Sequence, residues 1–253
     1  RFVCELIERE KPAHIHFAFD ESLDSNFRNR LYPAYKANRD PAPLELKRQF
    51  GYCKQICRAL GFSVLANGEY EADDLIGTAL THARAAGKPS LILSADKDLS
   101  QLLGEHDVQW DYAKNERWQL AGVKAKHGVH AHQLADYLGL TGDAVDNIPG
   151  VPGIGPKTAA TLLSHFGSLD TLLEKLDEVP YLRLRSAALH AARLREHRDM
   201  ALLCRNLATI RCDAPMPDNH HDGVRQATDT DALTALIEQL RFGPLTRRRL
   251  LSL

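Results

Sequence analysis

The sequence predicts an α/β fold, with a parallel-sheet core over residues 1–128 and a helical lobe over 129–253. Three observations point there. Short apolar runs alternate with helical patterns through the first half, a rhythm that parallel strands and crossover helices produce. From about His130 the apolar spacing turns helical throughout. At 253 residues and 44% hydrophobic composition, the chain can bury a substantial core.

Residues 1 to 10 carry a helical pattern that ends at Lys11-Pro12, and Ile15 to Phe19 is a short apolar strand delivering Asp20 to its carboxyl end. Residues 21 to 45 are polar and interrupted by Pro33, Pro41 and Pro43, which reads as an exposed excursion. Lys47 to Leu60 resumes a helical pattern, and Gly61 stops it. A strand around Phe62 to Leu65 leads into EYEADDLIGTALTHARAAG, a helix with Glu71, Asp73 and Asp74 in its first turn. SLILSADKDLSQLL is a buried strand opening into a loop that bears Asp96 and Asp98. In open parallel sheets the functional crevice lies beyond the strands' carboxyl ends, where Asp20, Asp96 and Asp98 fall. The second half reads as AHQLADYLGL, the turn TGDAVDNIPGVPGIG, PKTAATLLSHFG, SLDTLLEKL, an Arg-rich helix over about 181 to 198, a linker or mobile loop over 213 to 229, and a last amphipathic helix, DALTALIEQLRF.

No apolar run reaches the ~18 residues of a membrane span, and the opening stretch lacks the zones of a signal peptide, so a soluble, cytoplasmic chain is expected. Cys4, Cys53, Cys57, Cys204 and Cys212 form no CxxC and suit reduced thiols; Cys204, Cys212, His220 and His221 match no common zinc spacing. Trp110 and Trp118 are expected to pack the domain.

The net charge of −1 hides a segregation. Residues 28 to 58 hold eight cations against two anions, residues 183 to 198 hold five arginines against one glutamate, and Arg247, Arg248 and Arg249 follow near the end. The balancing anions gather where strands end or helices begin: Asp20; Glu71, Asp73 and Asp74; Asp96 and Asp98; Asp143 and Asp146. Setting these eight aside leaves a basic chain, as a nucleic-acid partner requires. Taken singly, first-turn acids serve the helix macrodipole and Asp96 and Asp98 serve a turn. Their joint occurrence is the signal. Glu71 and Asp74 share a helix face, while Asp96 and Asp98 flank Lys97 in a loop able to curl around an ion. Clustered carboxylates repel unless hard cations neutralise them, and all-oxygen ligands suit Mg²⁺ or Mn²⁺. Two such ions about 4 Å apart can drive an in-line displacement at a phosphodiester.

GVPGIGPKTA at 150 to 159 reads as a helix-hairpin-helix turn. Gly150, Gly153 and Gly155 allow tight backbone geometry, and Pro156 suits the first helical position, leaving N–H groups for a phosphate.

FAFD at 17–20, FRNRLYPAYKANR at 27–39, EADD at 71–74, SADKDLSQLL at 94–103 and GDAVDNIPGVPGIGPKTA at 142–159 run in one order over nearly the whole chain. This set resembles the 5′-nuclease domain of bacterial family-A DNA polymerases and its free-standing flap endonuclease relatives. The resemblance implies a nuclease core with a helical arch over 27–50 and a helix-hairpin-helix over 142–165. It implies 5′-3′ exonuclease and flap endonuclease activity on DNA flaps, junctions and 5′ ends, in replication and repair, by a monomer. Asp20, Glu71, Asp73 and Asp74 would hold one Mg²⁺, with Asp96, Asp98, Asp143 and Asp146 shaping the site of a second. Arg28 and Lys36 would act catalytically at the reacting phosphate, Tyr32 or Tyr35 would stack on a base, and Arg39, Gly150, Gly153, Gly155 and Lys157 would bind DNA, with K⁺ at the hairpin. Relatives open on a strand with a further aspartate, so the sequence is expected to start about 30 to 50 residues into its protein, without that central strand. Two alternatives are a non-catalytic junction-binding homologue and an acidic-cluster ribonuclease; the arch and the hairpin argue against the second.

Overall fold

Strand β1 (His16–Asp20) pairs in parallel with β2 (Ser63–Asn67), with Phe17 opposite Val64 and Asp20 opposite Asn67. The register leaves the carboxylate at the strand end. The computed structural model describes residues 2–21, 26–217 and 221–253. Its packing forms two compact units, of which this strand pair belongs to the first, residues 1–26, 41–79 and 212–253. Helices α1 (Phe2–Glu10), α3 (Leu44–Ala59), α11 (Thr230–Gln239) and α12 (Pro244–Leu251) supply its core through Cys4, Cys57, Leu60, Leu233, Ile237 and Leu250, against Phe62 and Val64. Helix α4 (Ala72–Ala85) follows β2 and buries Leu75 beside Leu65. The sequence does not announce α12, although Pro244 at its start and Gly243 before it suit a helix N-terminus.

The stretch expected to be a linker or mobile loop is tied down on both sides of residues 218–220, which, His220 among them, lie outside the described residues. The buried Ala214 donates its N–H to Thr78 Oγ1 at 3.0 Å, Gln226 donates to the Gly61 carbonyl at 2.7 Å, and Asp229 donates to the Ala59 carbonyl at 2.8 Å. Gly61 turns the chain at φ 79°, and a β-carbon there would stand 2.1 Å from the Gln226 oxygen. Polar composition foretold a loop; it could not foretell that the loop's amides would find backbone partners.

The second unit comprises residues 27–40 and 80–211. Its sheet is mixed and not wholly parallel: β3 (Leu91–Leu93) runs parallel to β4 (Val108–Asp111), and β4 pairs antiparallel with β5 (Glu116–Gln119). Trp110 and Trp118 are buried here, as expected, with the Arg117 guanidinium over the Trp110 ring. After α5 (Leu120–His127) come α6 (Leu134–Thr141), α7 (Pro156–Phe166), α8 (Leu169–Glu174), α9 (Ala187–Glu196) and α10 (Arg198–Ala208). The Arg-rich helix thus starts at Ala187, later than expected, because Ser186 takes a left-handed conformation at φ 60°. Helices α6 and α10 approach closely at Gly139, where a β-carbon would meet Arg205 Cβ at 2.9 Å. The excursion after residue 26 is also less exposed than expected. Helix α2 (Phe27–Leu31) is followed by Tyr35 in a core with Leu138, Ile148 and Cys204. Among the described residues no helix is long and apolar enough to cross a membrane.

Candidate functional site

The first acidic group sits where β1 ends and α4 begins. Asp20 Oδ1 accepts the Ala72 N–H at 2.7 Å, and Asp74 Oδ2 accepts the Glu71 N–H at 3.0 Å, so the first turn of α4 is held by two carboxylates. Both sit where the helix macrodipole favours negative charge, and Asp74 is 0% exposed. Glu71 is also buried, Asp73 is partly buried, and Asp20 remains exposed. The structure therefore gathers Asp20, Glu71, Asp73 and Asp74 about one helix start.

The second group lies in the other unit. Asp96 Oδ1 caps the 3₁₀ turn Lys97–Leu102 by accepting the Asp98 N–H at 2.9 Å, while the Asp96 N–H donates to Ser94 Oγ at 3.1 Å. Buried Asp143 exchanges two backbone hydrogen bonds of 2.8 Å with Ile148, and its carboxylate accepts the Val145 N–H at 2.8 Å and Lys97 Nζ at 2.6 Å. Burial, then the charges of Asp96, Asp143 and Asp146, push the Asp98 carboxyl up to about 7 against the pull of Lys97. Asp143 shows the opposite balance. Burial opposes its ionisation, yet the Lys97 hydrogen bond and the Val145 amide hold it below the usual carboxylate range. Lys97 is held above its ordinary value by Asp143, Asp98 and Asp96, although burial works the other way.

The candidate ligands of both groups are carboxylates, with Lys97 as the ammonium that faces Asp143. The donors are all hard oxygens, which fits Mg²⁺ or Mn²⁺ and not a soft metal. Among the described residues no group of three Asp, Glu, His or Cys side chains is placed to hold a metal ion. Mg²⁺ asks for less, since it keeps several waters and takes one or two carboxylates with substrate phosphate.

Asp146 stands apart from the other acids in its partners. It receives Tyr35 OH at 3.3 Å, Lys36 Nζ at 3.7 Å and the Arg39 guanidinium, while its carbonyl accepts the Lys36 N–H at 3.0 Å. Asn147 Nδ2 donates to the Ala34 carbonyl at 2.6 Å and Asn38 Nδ2 to the Ala144 carbonyl at 2.9 Å, so residues 34–39 are laced to the 144–147 loop. Two expectations change here. Arg28 is 2% exposed, and its guanidinium donates to the Leu207 and Thr209 carbonyls at 2.8 Å each, so it ties α2 to the backbone at the end of α10 and does not face outward toward a phosphate. Tyr35, at 3% exposure, is core and offers no face to a base, whereas Tyr32 is only partly buried.

In the hairpin, Gly150 and Gly153 have φ of 68° and 74°, conformations that favour glycine. Gly155 does not, with φ −93°, ψ 178° and nothing within 4 Å of an added β-carbon, so the expectation that all three need unusual angles is corrected at this position. Buried Val151 and Ile154 anchor the turn, the Val151 N–H donating to the Leu140 carbonyl at 2.8 Å. Pro156 opens α7, and Lys157 is exposed in its first turn. Sequence reasoning missed one neighbour. A β-carbon on Gly153 would stand 1.4 Å from Arg193 Nη1, so this guanidinium lies on the turn itself. Forty positions separate the two in sequence, and no local pattern links them.

Two family models match the chain: "5′-3′ exonuclease, N-terminal resolvase-like domain" over residues 1–128 and "5′-3′ exonuclease, C-terminal SAM fold" over residues 129–231. The DNA polymerase I of Rhizobium leguminosarum is 39% identical over 237 residues, which cover 94% of this chain and 23% of that protein. This chain thus spans about a quarter of the length of its DNA polymerase I relatives. The flap endonuclease Xni of Pectobacterium carotovorum is 39% identical over 216 residues, 85% of this chain and 80% of the relative. Among solved structures, the D15 flap endonuclease of bacteriophage T5, in a complex with DNA and metal ions, shares the fold at a TM-score of 0.66 and 20% identity, over 95% of this chain and 89% of that one. With both halves matched in order and a near full-length relative at this identity, the chain belongs to the 5′-3′ exonuclease family.

Proposed function

We propose that this chain is a structure-specific 5′ nuclease that hydrolyses phosphodiester bonds in DNA, acting as exonuclease and flap endonuclease through two divalent cations. The observation that carries the reading is the Asp96–Asp98 loop with Asp143, where burial first and then the neighbouring carboxylates drive Asp98 up to about 7. A fold accepts such a cost where function needs the charge. Asp20, Glu71, Asp73 and Asp74 would hold one ion, and Asp96, Asp98, Asp143 and Asp146 would shape the place of the second. Divalent cations supply Lewis-acid charge at the scissile phosphate. Lys36, poised at Asp146, would add a cation where negative charge develops, and Arg39 would dock the strand. Gly150, Gly153, Gly155 and Lys157 would offer the hairpin amides and one ammonium to the duplex backbone, with K⁺ held by hairpin carbonyls. The working division falls at residues 128 and 129, and the active form is a monomer. Relatives named as a flap endonuclease and as DNA polymerase I, and a fold neighbour solved with DNA and metal ions, support the assignment.

The test is single-turnover cleavage of a 5′-flap duplex. Cutting with Mg²⁺ or Mn²⁺ that stops in excess chelator is the expected result, and undiminished cutting in chelator would overturn the mechanism.

A further inference from the structure

The acidic loop begins where sheet pairing ends. The Ser94 N–H still donates to the Trp110 carbonyl at 3.1 Å, but beyond it the carbonyls of Ser94 and Asp96 have no strand to meet. One side chain answers both. Gln109, on β4 and 0% exposed, donates through Nε2 to the Asp96 carbonyl at 2.6 Å and to the Ser94 carbonyl at 3.2 Å. We propose that Gln109 is a positioning residue that sets the Asp96–Asp98 loop for metal binding, an inference that rests on the metal reading above.

The hydrogen bonds behind Gln109 leave its amide one orientation. Its Oε1 accepts from Ser100 Oγ at 2.7 Å, and Ser100, also fully buried, lies in the turn that follows the loop. Having given its proton to Gln109, the Ser100 hydroxyl can only accept from its other two neighbours. Trp118 Nε1 donates to it at 3.0 Å, and His127 Nε2 lies 3.2 Å away, so His127 carries its proton on Nε2. Read this way, both Gln109 amide protons, its oxygen and the Ser100 proton have partners. A flipped Gln109 amide would set Oε1 against two carbonyls and leave the Ser100 proton without an acceptor. Burial, then Lys126 and Lys97, hold His127 below its usual range, in keeping with a neutral ring that donates once.

Gln109 thus holds the backbone before and after Lys97 from one point: directly at Ser94 and Asp96, and through Ser100 in the turn. Asp98 hangs between these two anchors, its own N–H bound to the Asp96 carboxylate at 2.9 Å. The carboxylates at 96 and 98 are therefore placed by their main chain, and the main chain by Gln109. A methionine at 109 keeps the length and the apolar stem but leaves both carbonyls and the Ser100 proton unmet.

The test compares wild type, Gln109→Met and Ser100→Ala in the full-length protein carrying this chain. Mn²⁺ binding is followed by electron paramagnetic resonance, exchange at the amides of residues 96–98 by mass spectrometry, and flap-DNA affinity without divalent metal by fluorescence anisotropy. Gln109→Met should weaken Mn²⁺ binding about 10- to 100-fold, the range for residues that orient metal ligands. Exchange at residues 96–98 should speed up, DNA affinity should stay within about twofold, and raised Mn²⁺ should restore cleavage, which a generally destabilised protein would not allow. Ser100→Ala should give a smaller loss of the same kind, and it carries the test if Gln109→Met fails to fold. Mn²⁺ affinity within about twofold of wild type in the folded variants would overturn the inference while leaving the nuclease assignment standing. A wild type that binds no Mn²⁺ would overturn both.

Discussion

Replacing Asp98 by asparagine should make the metal-free protein more stable while stopping cleavage. The folded state lifts this carboxyl from 3.8 to about 7, chiefly by burial and then by the charge of Asp96. At ~1.4 kcal/mol per pH unit, such a rise corresponds to an ionisation cost on the order of 4 kcal/mol. Loop relaxation and water access reduce this to about 1–2 kcal/mol. The sign follows from the raised value. Below the ordinary carboxylate range the group is protonated in both states and costs nothing; the cost grows from about pH 4 to 7 and is complete above that. Asparagine imitates the protonated form, so its advantage should be largest at pH 8 and less than half as large at pH 5. For a chain of this size 1–2 kcal/mol raises the melting temperature by roughly 2–8 °C. The assay is thermal unfolding in chelator at both pH values, repeated at pH 8 with Mg²⁺. Metal should favour wild type alone, because only the native ionised site binds it. No gain at pH 8, or an equal gain at pH 5, would refute the argument that ionising Asp98 destabilises the metal-free fold.

Three further outcomes follow from other parts of the site. Lys36→Ala should slow single-turnover cleavage at least tenfold and change flap affinity less than about threefold, since one cation among many phosphate contacts contributes little grip; equal losses would make Lys36 a docking residue. Arg193→Ala should weaken duplex binding and lower the slope of log affinity against log salt by about 1, as the loss of one phosphate contact does; an unchanged slope would leave Arg193 a packing residue of the turn. Gly155→Ala should melt with wild type, because its backbone is extended and its surroundings open, yet bind duplex more weakly if the hairpin amides approach phosphate; unaltered binding would remove Gly155 from the interface.

The parts of the fold legible in sequence were those with a local cause. The β1 and β2 strands, α4 and α7 each carry their own period and stop signals, and they stand within a few residues of where these place them. The β4–β5 hairpin was not legible, because VQWDYAKNERWQ interrupts its alternation with charges that Asp111 and Lys114 spend on each other across the turn. Arg28 was misplaced for a related reason. A cation in a basic segment reads as a phosphate contact, and only the fold brings the carbonyls of Leu207 and Thr209, some 180 positions away, to its guanidinium. The Gln109 relay and the seat of Arg193 on the hairpin are equally non-local, so neither could be seen before the chain was folded.

The carboxylates themselves admit two readings that the structure joins. Asp20, Asp74 and Asp96 all accept backbone N–H groups, which is ordinary capping chemistry and by itself would explain acids at these positions. A cap bond, however, fixes one oxygen of a carboxylate and so fixes the direction of the other. For a ligand to a hard cation that is an asset, because orientation is settled before metal arrives and less freedom is lost on binding. No backbone N–H caps the Asp98 carboxylate among the described residues, and burial, then the charge of Asp96, pushes it up to about 7. Local structure and metal chemistry therefore select the same residue type at the same places, and their difference shows only where a carboxylate has no cap to repay its burial.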